Sequence, residues 1–371
     1  MSEGTLSELT RAYQRKLAER GFHSDPAQLS ALAALNDLLR QLIATRPSGG
    51  SLPRWLGGFL NPGPALPIKG LYLWGGVGRG KTWLMDLFHA SLPFPERRRL
   101  HFHRFMHDVH AQLRTLQGQA SPLEEVAARI ASDTRVLCFD ELYVADIADA
   151  MILGGLFAGL FARGVTLVAT SNVRPGDLYR DGLQRQRFLP AIALLEERMQ
   201  VLELDGGTDY RLRQLAQADI YLGSGAPETR ARLETLFDDL AGGETQSGGV
   251  IQIEDRPIEV IRAGHGAAWF EFTALCAGPR SQDDYIEIAR EYQSVIVSGV
   301  PVLDASRDDE ARRFVALVDE FYDRNVNLVV AAAAAPLSLY RGSRLARIFE
   351  RTASRLVEMQ SEAYLAREHR P

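Results

Sequence analysis

Lysine and cysteine are scarce in this chain of 371 residues, and long apolar runs are missing from it. The cysteines, Cys138 and Cys276, lack the spacing of a metal site or a disulfide framework, so we expect reduced thiols in a cytoplasmic protein. No apolar run approaches the length of a transmembrane helix, and the first residues lack a signal-peptide core. A net charge of −5 argues against sequence-independent binding of nucleic acid, and no DNA partner is expected.

The scarcity of lysine gives weight to one motif. The 42 basic residues include only three lysines, at positions 16, 69 and 81. The last of these closes a run that fits G-x-x-x-x-G-K-[ST], the phosphate-binding loop, and that reads Gly75-Gly76-Val77-Gly78-Arg79-Gly80-Lys81-Thr82. Glycines let successive backbone amides face phosphate oxygens, and the following helix N-terminus favours an anion. We expect Lys81 to reach the β- and γ-phosphates and the Thr82 hydroxyl to ligate Mg²⁺.

A nucleotide hydrolase also needs a carboxylate at the end of a neighbouring strand. The segment 136–139 is apolar, as in a strand buried on both faces, and Asp140 and Glu141 follow it. We expect Asp140 to hold the metal, directly or through water, and Glu141 to be the base that polarises the attacking water. The plainer alternative is a core strand that ends in a solvated acidic turn.

A third strand, at 165–170, ends in Thr170, Ser171 and Asn172. Asn172 could orient the water that attacks the γ-phosphate, although Thr-Ser-Asn is also ordinary turn chemistry. The chain has no N-K-x-D tetrapeptide, so ATP is favoured over GTP. Among the arginines that follow, we choose Arg185, ahead of Arg187, as the residue that stabilises transition-state charge in a neighbouring subunit. A surface role remains the alternative.

Turn signals divide the chain into three regions. Residues 1–50 form a helical N-terminal segment with helices at 6–20 and 26–44. Residues 51–207 alternate strands and helices, which predicts a three-layer αβα sandwich around a parallel sheet, the fold of P-loop NTPases. Residues 208–371 form a mixed α/β region that is helical at 210–241, has a flexible turn at 242–249 and ends in a long helix at 342–366.

An internal similarity connects the last two regions. Laying 160–197 over 321–358, without a gap, gives 11 identities in 38 positions. We hypothesise that the C-terminal region is a degenerate copy of half the ATPase sheet that has lost the chemistry, since 170–172 lies opposite three alanines. Chance similarity between two helix–strand–turn–helix units is the alternative. Superposition of the two segments decides between them, and a different strand order or helix handedness would rule out the copy.

Two further groups of basic residues invite functional interpretations. Arg351 and Arg355 share one face of the predicted terminal helix, where they could sense the γ-phosphate or form ordinary surface pairs. The segment 97–110 contains four histidines without converging metal geometry. It could be a basic, aromatic surface that grips a polypeptide, or an ordinary strand–helix unit.

With these motifs, the chain resembles the ZapE-type AAA+ ATPases, bacterial cell-division proteins whose mitochondrial relatives include the lactation-elevated ATPase. Besides the phosphate loop and the acidic pair, the resemblance rests on the runs 101–106, 178–190, 209–212 and 351–361, and it spans nearly the whole chain. It implies ATP hydrolysis, action as a homo-oligomer, and association of bacterial members with the division protein FtsZ.

Three functions therefore remain to be compared. The leading one is an ATPase that performs conformational work on a protein partner. A nucleic-acid-associated ATPase of the helicase-loader kind shares the same core, although the net charge weighs against it. An ATP-gated scaffold without turnover is the third, and Glu141 argues against it.

Overall fold

The computed structural model describes residues 8–20, 24–45, 68–76, 78–144, 146–205, 215, 220–224, 228–253, 256–367 and 369–370. The chain divides into two compact units, residues 1–207 and residues 208–371. Among the described residues, no helix has both the length and the apolar character needed to cross a membrane.

The first unit alternates strands with helices. Its described helices are α1 (Glu8–Arg20), α2 (Pro26–Ala44), α3 (Lys81–Ser91), α4 (Phe102–Thr115), α5 (Pro122–Asp133), α6 (Ile147–Ala162) and α7 (Leu189–Arg198). Its described strands are β1 (Gly70–Trp74), β2 (Arg97–His101), β3 (Val136–Asp140), β4 (Thr166–Ser171) and β5 (Met199–Glu203). All the pairings in this sheet are parallel, in the order β2-β3-β4-β1-β5.

Helices cover both faces of the sheet, because successive strand residues point to opposite sides. In β3, Leu137 and Phe139 pack with α4 to α7, whereas Val136 and Cys138 pack with α1 to α3. The predicted three-layer αβα sandwich of a P-loop NTPase is confirmed.

Helix α2 begins where the sequence indicated. The Asp25 carboxylate accepts hydrogen bonds from the amides of Ala27 and Gln28, and Pro26 occupies the first turn, where no N–H is needed. Within 182–198, a 3₁₀ turn, Arg185–Arg187, precedes α7, and the two do not form one continuous helix. Pro190 lies in the first turn of α7, which favours a helix start there over a continuous helix from 182.

The second unit contains a larger sheet in the order β6-β13-β12-β11-β10-β7 and a separate hairpin of β8 and β9. Its strands are β6 (Tyr221–Gly223), β7 (Gly242–Ser247), β8 (Val250–Ile253), β9 (Arg256–Glu259), β10 (Arg262–His265), β11 (Ala267–Glu271), β12 (Ser294–Val300) and β13 (Asn327–Ala332). Its described helices of four residues or more are α8 (Thr229–Leu240), a π-helix (Thr273–Ala277), α9 (Gln282–Glu291), α10 (Asp308–Asp323), α11 (Ala346–Glu358) and α12 (Glu362–Leu365).

Three expectations for this unit were wrong. The stretch predicted as helical from 210 to 241 includes strand β6, and α8 begins only at Thr229; residues 206–214 and 216–219 lie outside the described part. The glycine-rich segment expected to be a flexible turn is strand β7, because it pairs with β10. The long terminal helix ends at Glu358, and Ser361 caps the short α12 with its hydroxyl.

The strand order agrees with a repeated fold. The order β11-β12-β13-β6 in the second unit repeats β2-β3-β4-β1 in the first, and all of these pairings are parallel. Helix α10 starts 161 residues after α6 (308 against 147) and β13 starts 161 after β4 (327 against 166). The hydroxyl of Tyr72 in β1 donates to the carbonyl of Val173 at 3.0 Å, and the hydroxyl of Tyr221 in β6 donates to the carbonyl of Ala334 at 2.8 Å. The two acceptors, Val173 and Ala334, are again 161 residues apart.

Candidate functional site

The phosphate loop connects β1 to α3 in a conformation that requires glycine. Gly75, Gly78 and Gly80 have φ angles of 150°, 73° and 83°. A Cβ atom on Gly75 would lie 2.4 Å from the carbonyl oxygen of Leu204. Gly80 is the N-cap of α3 and has no side chain with which to cap it. The helix N-terminus therefore offers its amides to an anion, as the motif predicted; Val77 lies outside the described residues.

Lys81 joins the phosphate loop to the end of β4. Its ammonium donates to the carbonyls of Gly75 at 2.6 Å and Gly76 at 2.7 Å, and to the Asn172 side-chain oxygen at 3.0 Å. The side chain is 8% exposed. The structure thus brings together two predicted site residues that are far apart in the sequence, and phosphate oxygens could replace the two carbonyls as acceptors.

The acidic pair at the end of β3 is held by β4. Asp140 is buried, and Glu141 has a φ angle of 53°, a left-handed conformation that is unfavourable for glutamate. The amide of Glu141 donates to the Thr170 hydroxyl at 3.1 Å, and the amide of Leu142 donates to the Thr170 carbonyl at 2.7 Å. Local strain of this kind persists only where neighbouring contacts enforce it, and it is frequent at active sites.

Arg99 is a site residue that the sequence analysis missed. It lies in β2, and its Nε donates to Asp140 Oδ2 at 2.6 Å while its Nη2 donates to Asp140 Oδ1 at 3.2 Å. Its Nη1 pairs with the Asp86 carboxylate of α3. Burial disfavours the guanidinium charge, but the carboxylates of Asp140 and Asp86 outweigh it and raise the pKa of Arg99. The available signal was the run of arginines at 97–99, in the segment interpreted as a basic surface or an ordinary strand–helix unit.

A second group of missed residues comes from the N-terminal helices. The Gln28 side-chain amide donates to the carbonyl of Arg79 in the phosphate loop at 3.0 Å, and it accepts a hydrogen bond from the Tyr13 hydroxyl at 2.9 Å. The Tyr13 ring stacks on Trp83, with centroids 4.9 Å apart. Both Gln28 and Tyr13 are almost fully buried. Helix α2 therefore contacts the loop directly and α1 supports that contact, whereas the sequence predicted only that the two helices exist.

The predicted arginines occupy different surroundings. Arg185 donates to the carbonyl of Gly176 at 2.6 Å, within the first unit. In the second unit, Arg351 and Arg355 both pair with Asp319, at 2.8 Å and 2.6 Å. These surface pairs correspond to the plainer alternative for Arg351 and Arg355, and a catalytic or sensing role for any of the three stays a prediction.

The donor set suits Mg²⁺ together with a nucleotide. Thr82 supplies a hydroxyl and Asp140 a carboxylate, which are the hard oxygen ligands that Mg²⁺ prefers. Both residues contact Arg99, whose Nη2 lies 3.5 Å from the Thr82 carbonyl. Within the described ranges, no group of three or more His, Cys, Asp or Glu side chains could hold a metal ion. A magnesium ion at this point would therefore take further ligands from water and from phosphates.

The fold and the phosphate loop define this chain as a P-loop ATPase of the AAA+ class. More particularly, residues 7–368 match the model of the AFG1-like ATPase family, and the chain belongs to that family.

The relatives agree with the resemblance inferred from the motifs. The chain is 48% identical to the cell division protein ZapE of Escherichia coli K12 over 366 residues, which cover 97% of this chain and 98% of that one. It is 36% identical to lactation elevated protein 1 homolog B of Danio rerio over 344 residues, covering 80% and 68% of the two chains. A crystal structure of DnaI aligns with 48% of this chain and 86% of its own, at 17% identity and a TM-score of 0.35, a similarity too low to support any argument.

Proposed function

We propose that this protein hydrolyses ATP in the presence of Mg²⁺ and uses the energy to remodel a protein partner in bacterial cell division. We expect the protein to act in the cytoplasm, with FtsZ as its partner. The family and the name of the Escherichia coli relative support the ATPase and the cell-division parts of this proposal. The choice of FtsZ rests on the resemblance alone.

One observation carries the enzymatic part. The carboxyl ends of β1, β3 and β4 bring the phosphate loop, the acidic pair and Asn172 to one edge of a parallel sheet. Ligands of doubly wound sheets bind at this edge. The contact of Lys81 with Asn172, and the hydrogen bonds between Thr170 and the residues after Asp140, fix these groups relative to one another.

Each residue then has a role that its chemistry allows. Lys81 balances the charge of the β- and γ-phosphates, Glu141 polarises the attacking water, and Asn172 orients that water. Thr82 and Asp140 would hold Mg²⁺, which when bound neutralises phosphate charge. The water attacks the γ-phosphorus, the bond to the bridging oxygen breaks, and ADP and phosphate leave.

Phosphate release by purified full-length protein tests this assignment. We expect Glu141→Gln and Lys81→Ala each to lower the rate by at least about a hundredfold. Lys69→Ala is the matched control, because Lys69 lies one residue before β1, at the opposite end of that strand from the loop. Hydrolysis that survives both site substitutions, or that fails equally in the control, would contradict the assignment.

The partner and the oligomer need separate experiments. We expect FtsZ polymers to raise the hydrolysis rate, and single-stranded DNA to leave it unchanged; the reverse result would favour the helicase-loader alternative. If Arg185 acts across a subunit interface, then mixing Arg185→Ala with Glu141→Gln protein should restore part of the activity. Absence of rescue would count against that role.

A further inference from the structure

The edge of the site where we expect the metal, beside Thr82 and Asp140, contains a buried positive charge. Arg99 is 5% exposed, and its partners Asp86 and Asp140 are 6% and 1% exposed. The three side chains come from three elements, β2, α3 and β3, so the fold rather than one local turn sets their geometry. Buried charges of this kind persist only when they are paired and hydrogen-bonded.

The contact with Asp140 engages both oxygens of the carboxylate. Arg99 donates through Nε and Nη2 to separate oxygens of Asp140, a side-on arrangement that fixes the plane of the carboxylate. A cation that approaches Asp140 therefore meets a carboxylate that is already paired with a guanidinium. The three side chains together carry one net negative charge, and Arg99 offsets much of the attraction that the two carboxylates would exert on the ion.

Asp86 explains why the arginine stays in this position. Asp86 lies four residues after Thr82 in α3, so both face the same side of the helix. Its carboxylate holds the third guanidinium nitrogen of Arg99, while the adjacent Nη2 contacts the Thr82 carbonyl. The guanidinium is thus anchored against the two residues, Thr82 and Asp140, that we expect beside the ion.

We propose that Arg99 is a positioning residue that pairs with Asp140 in the nucleotide-free protein, so that the divalent cation enters only together with the phosphates of the nucleotide. The inference rests on the proposed function, because it takes Asp140 as the residue that faces the ion. The phosphates supply the negative charge and the ligands that the protein withholds, since the described residues contain no metal cage of their own.

Binding of Mn²⁺ to the nucleotide-free full-length protein tests this proposal, with the electron paramagnetic resonance signal of free Mn²⁺ as the readout. We expect very weak binding by the wild type. Arg99→Gln should bind Mn²⁺ at least about tenfold more tightly, because a like charge beside the ion is gone. Adding Asp140→Asn to Arg99→Gln should abolish the gain.

Arg97→Gln is the matched control. Arg97 points to the same side of β2 as Arg99, but it donates to backbone carbonyls, including that of Leu92 at 2.6 Å. The control should bind Mn²⁺ as the wild type does. If a folded Arg99→Gln binds no more tightly than the wild type, or if Arg97→Gln gains as much, the proposal is wrong.

Arg99→Gln removes the guanidinium that both buried carboxylates contact, and this variant could fail to fold. The double variant Asp86→Asn/Arg99→Gln removes one charge of each sign and still releases Asp140. It too should bind Mn²⁺ more tightly than the wild type, and wild-type affinity in this folded variant would overturn the proposal. Binding of Mn²⁺ together with ADP tests the proposed function separately. If the wild type fails to bind the two together, the proposed function is contradicted, whereas the experiment without nucleotide tests only the role of Arg99.

Discussion

Replacing Glu141 with glycine is expected to stabilise the protein while abolishing ATP hydrolysis. Glu141 has a φ angle of 53°, and its amide is held by the Thr170 hydroxyl at 3.1 Å. A residue with a Cβ atom pays about 1–2 kcal/mol for the left-handed conformation. Glycine avoids this cost but loses more chain entropy on folding, by about 0.5–1 kcal/mol.

Alanine at the same position separates the backbone effect from the loss of the carboxylate. Glu141→Ala removes the base but keeps the unfavourable φ angle, so glycine should be the more stable variant by about 0.7 kcal/mol. Urea unfolding of the two variants, followed by tryptophan fluorescence, measures the difference in the free energy of unfolding. Both variants should have lost hydrolysis. Equal stability of the two would refute strain at Glu141, and activity in either would refute its role as the base.

Three further predictions follow from buried groups. Gln28→Met removes the hydrogen bonds to Arg79 and Tyr13, each worth about 1 kcal/mol, so ATP affinity measured with a fluorescent analogue should fall by up to about thirtyfold. Tyr13→Phe loses only one of these bonds, so its affinity should fall less. Unchanged affinity in both variants would show that the helices do not position the loop. Burial raises the pKa of Cys138 to about 12 and also raises that of Cys276, so neither thiol should react with a thiol reagent at pH 8 unless the protein is unfolded. Because the pKa values of both thiols are raised in the folded state, the contribution of the two protonated thiols to the free energy of unfolding is complete below the ordinary pKa of 9.0 and is lost as the pH rises above it. The urea concentration at the midpoint of unfolding should therefore fall between about pH 9 and 11. A midpoint that does not fall would contradict the burial of these thiols.

The sequence could predict the features that depend on local pattern. The phosphate-loop motif located the start of α3, and Asp25 followed by proline located the start of α2. The repeat was also visible, because the elements around β4 and β13 keep the same spacing without insertions. In each case neighbouring residues in the chain determine the structure.

The rest depends on contacts between distant segments. Arg99 meets Asp140 only because β2 and β3 pair in a register that sets Arg99 beside Cys138. Gln28 reaches Arg79 because α2 packs over the loop, and no periodicity in α2 indicates which residue it will touch. Strand β6 is three residues long, and its identity as a strand comes from pairing with β13.

The central claim is that a triphosphate binds in the cradle formed by residues 75–82. Calorimetric titration of ATP with Mg²⁺ into Glu141→Gln, with and without Lys81→Ala, tests it most directly, because the first substitution prevents turnover during the measurement. We predict one ATP per chain for Glu141→Gln and an affinity at least about a hundredfold weaker, or about 2.7 kcal/mol, when Lys81→Ala is added. Equal affinities in the two proteins would contradict the claim.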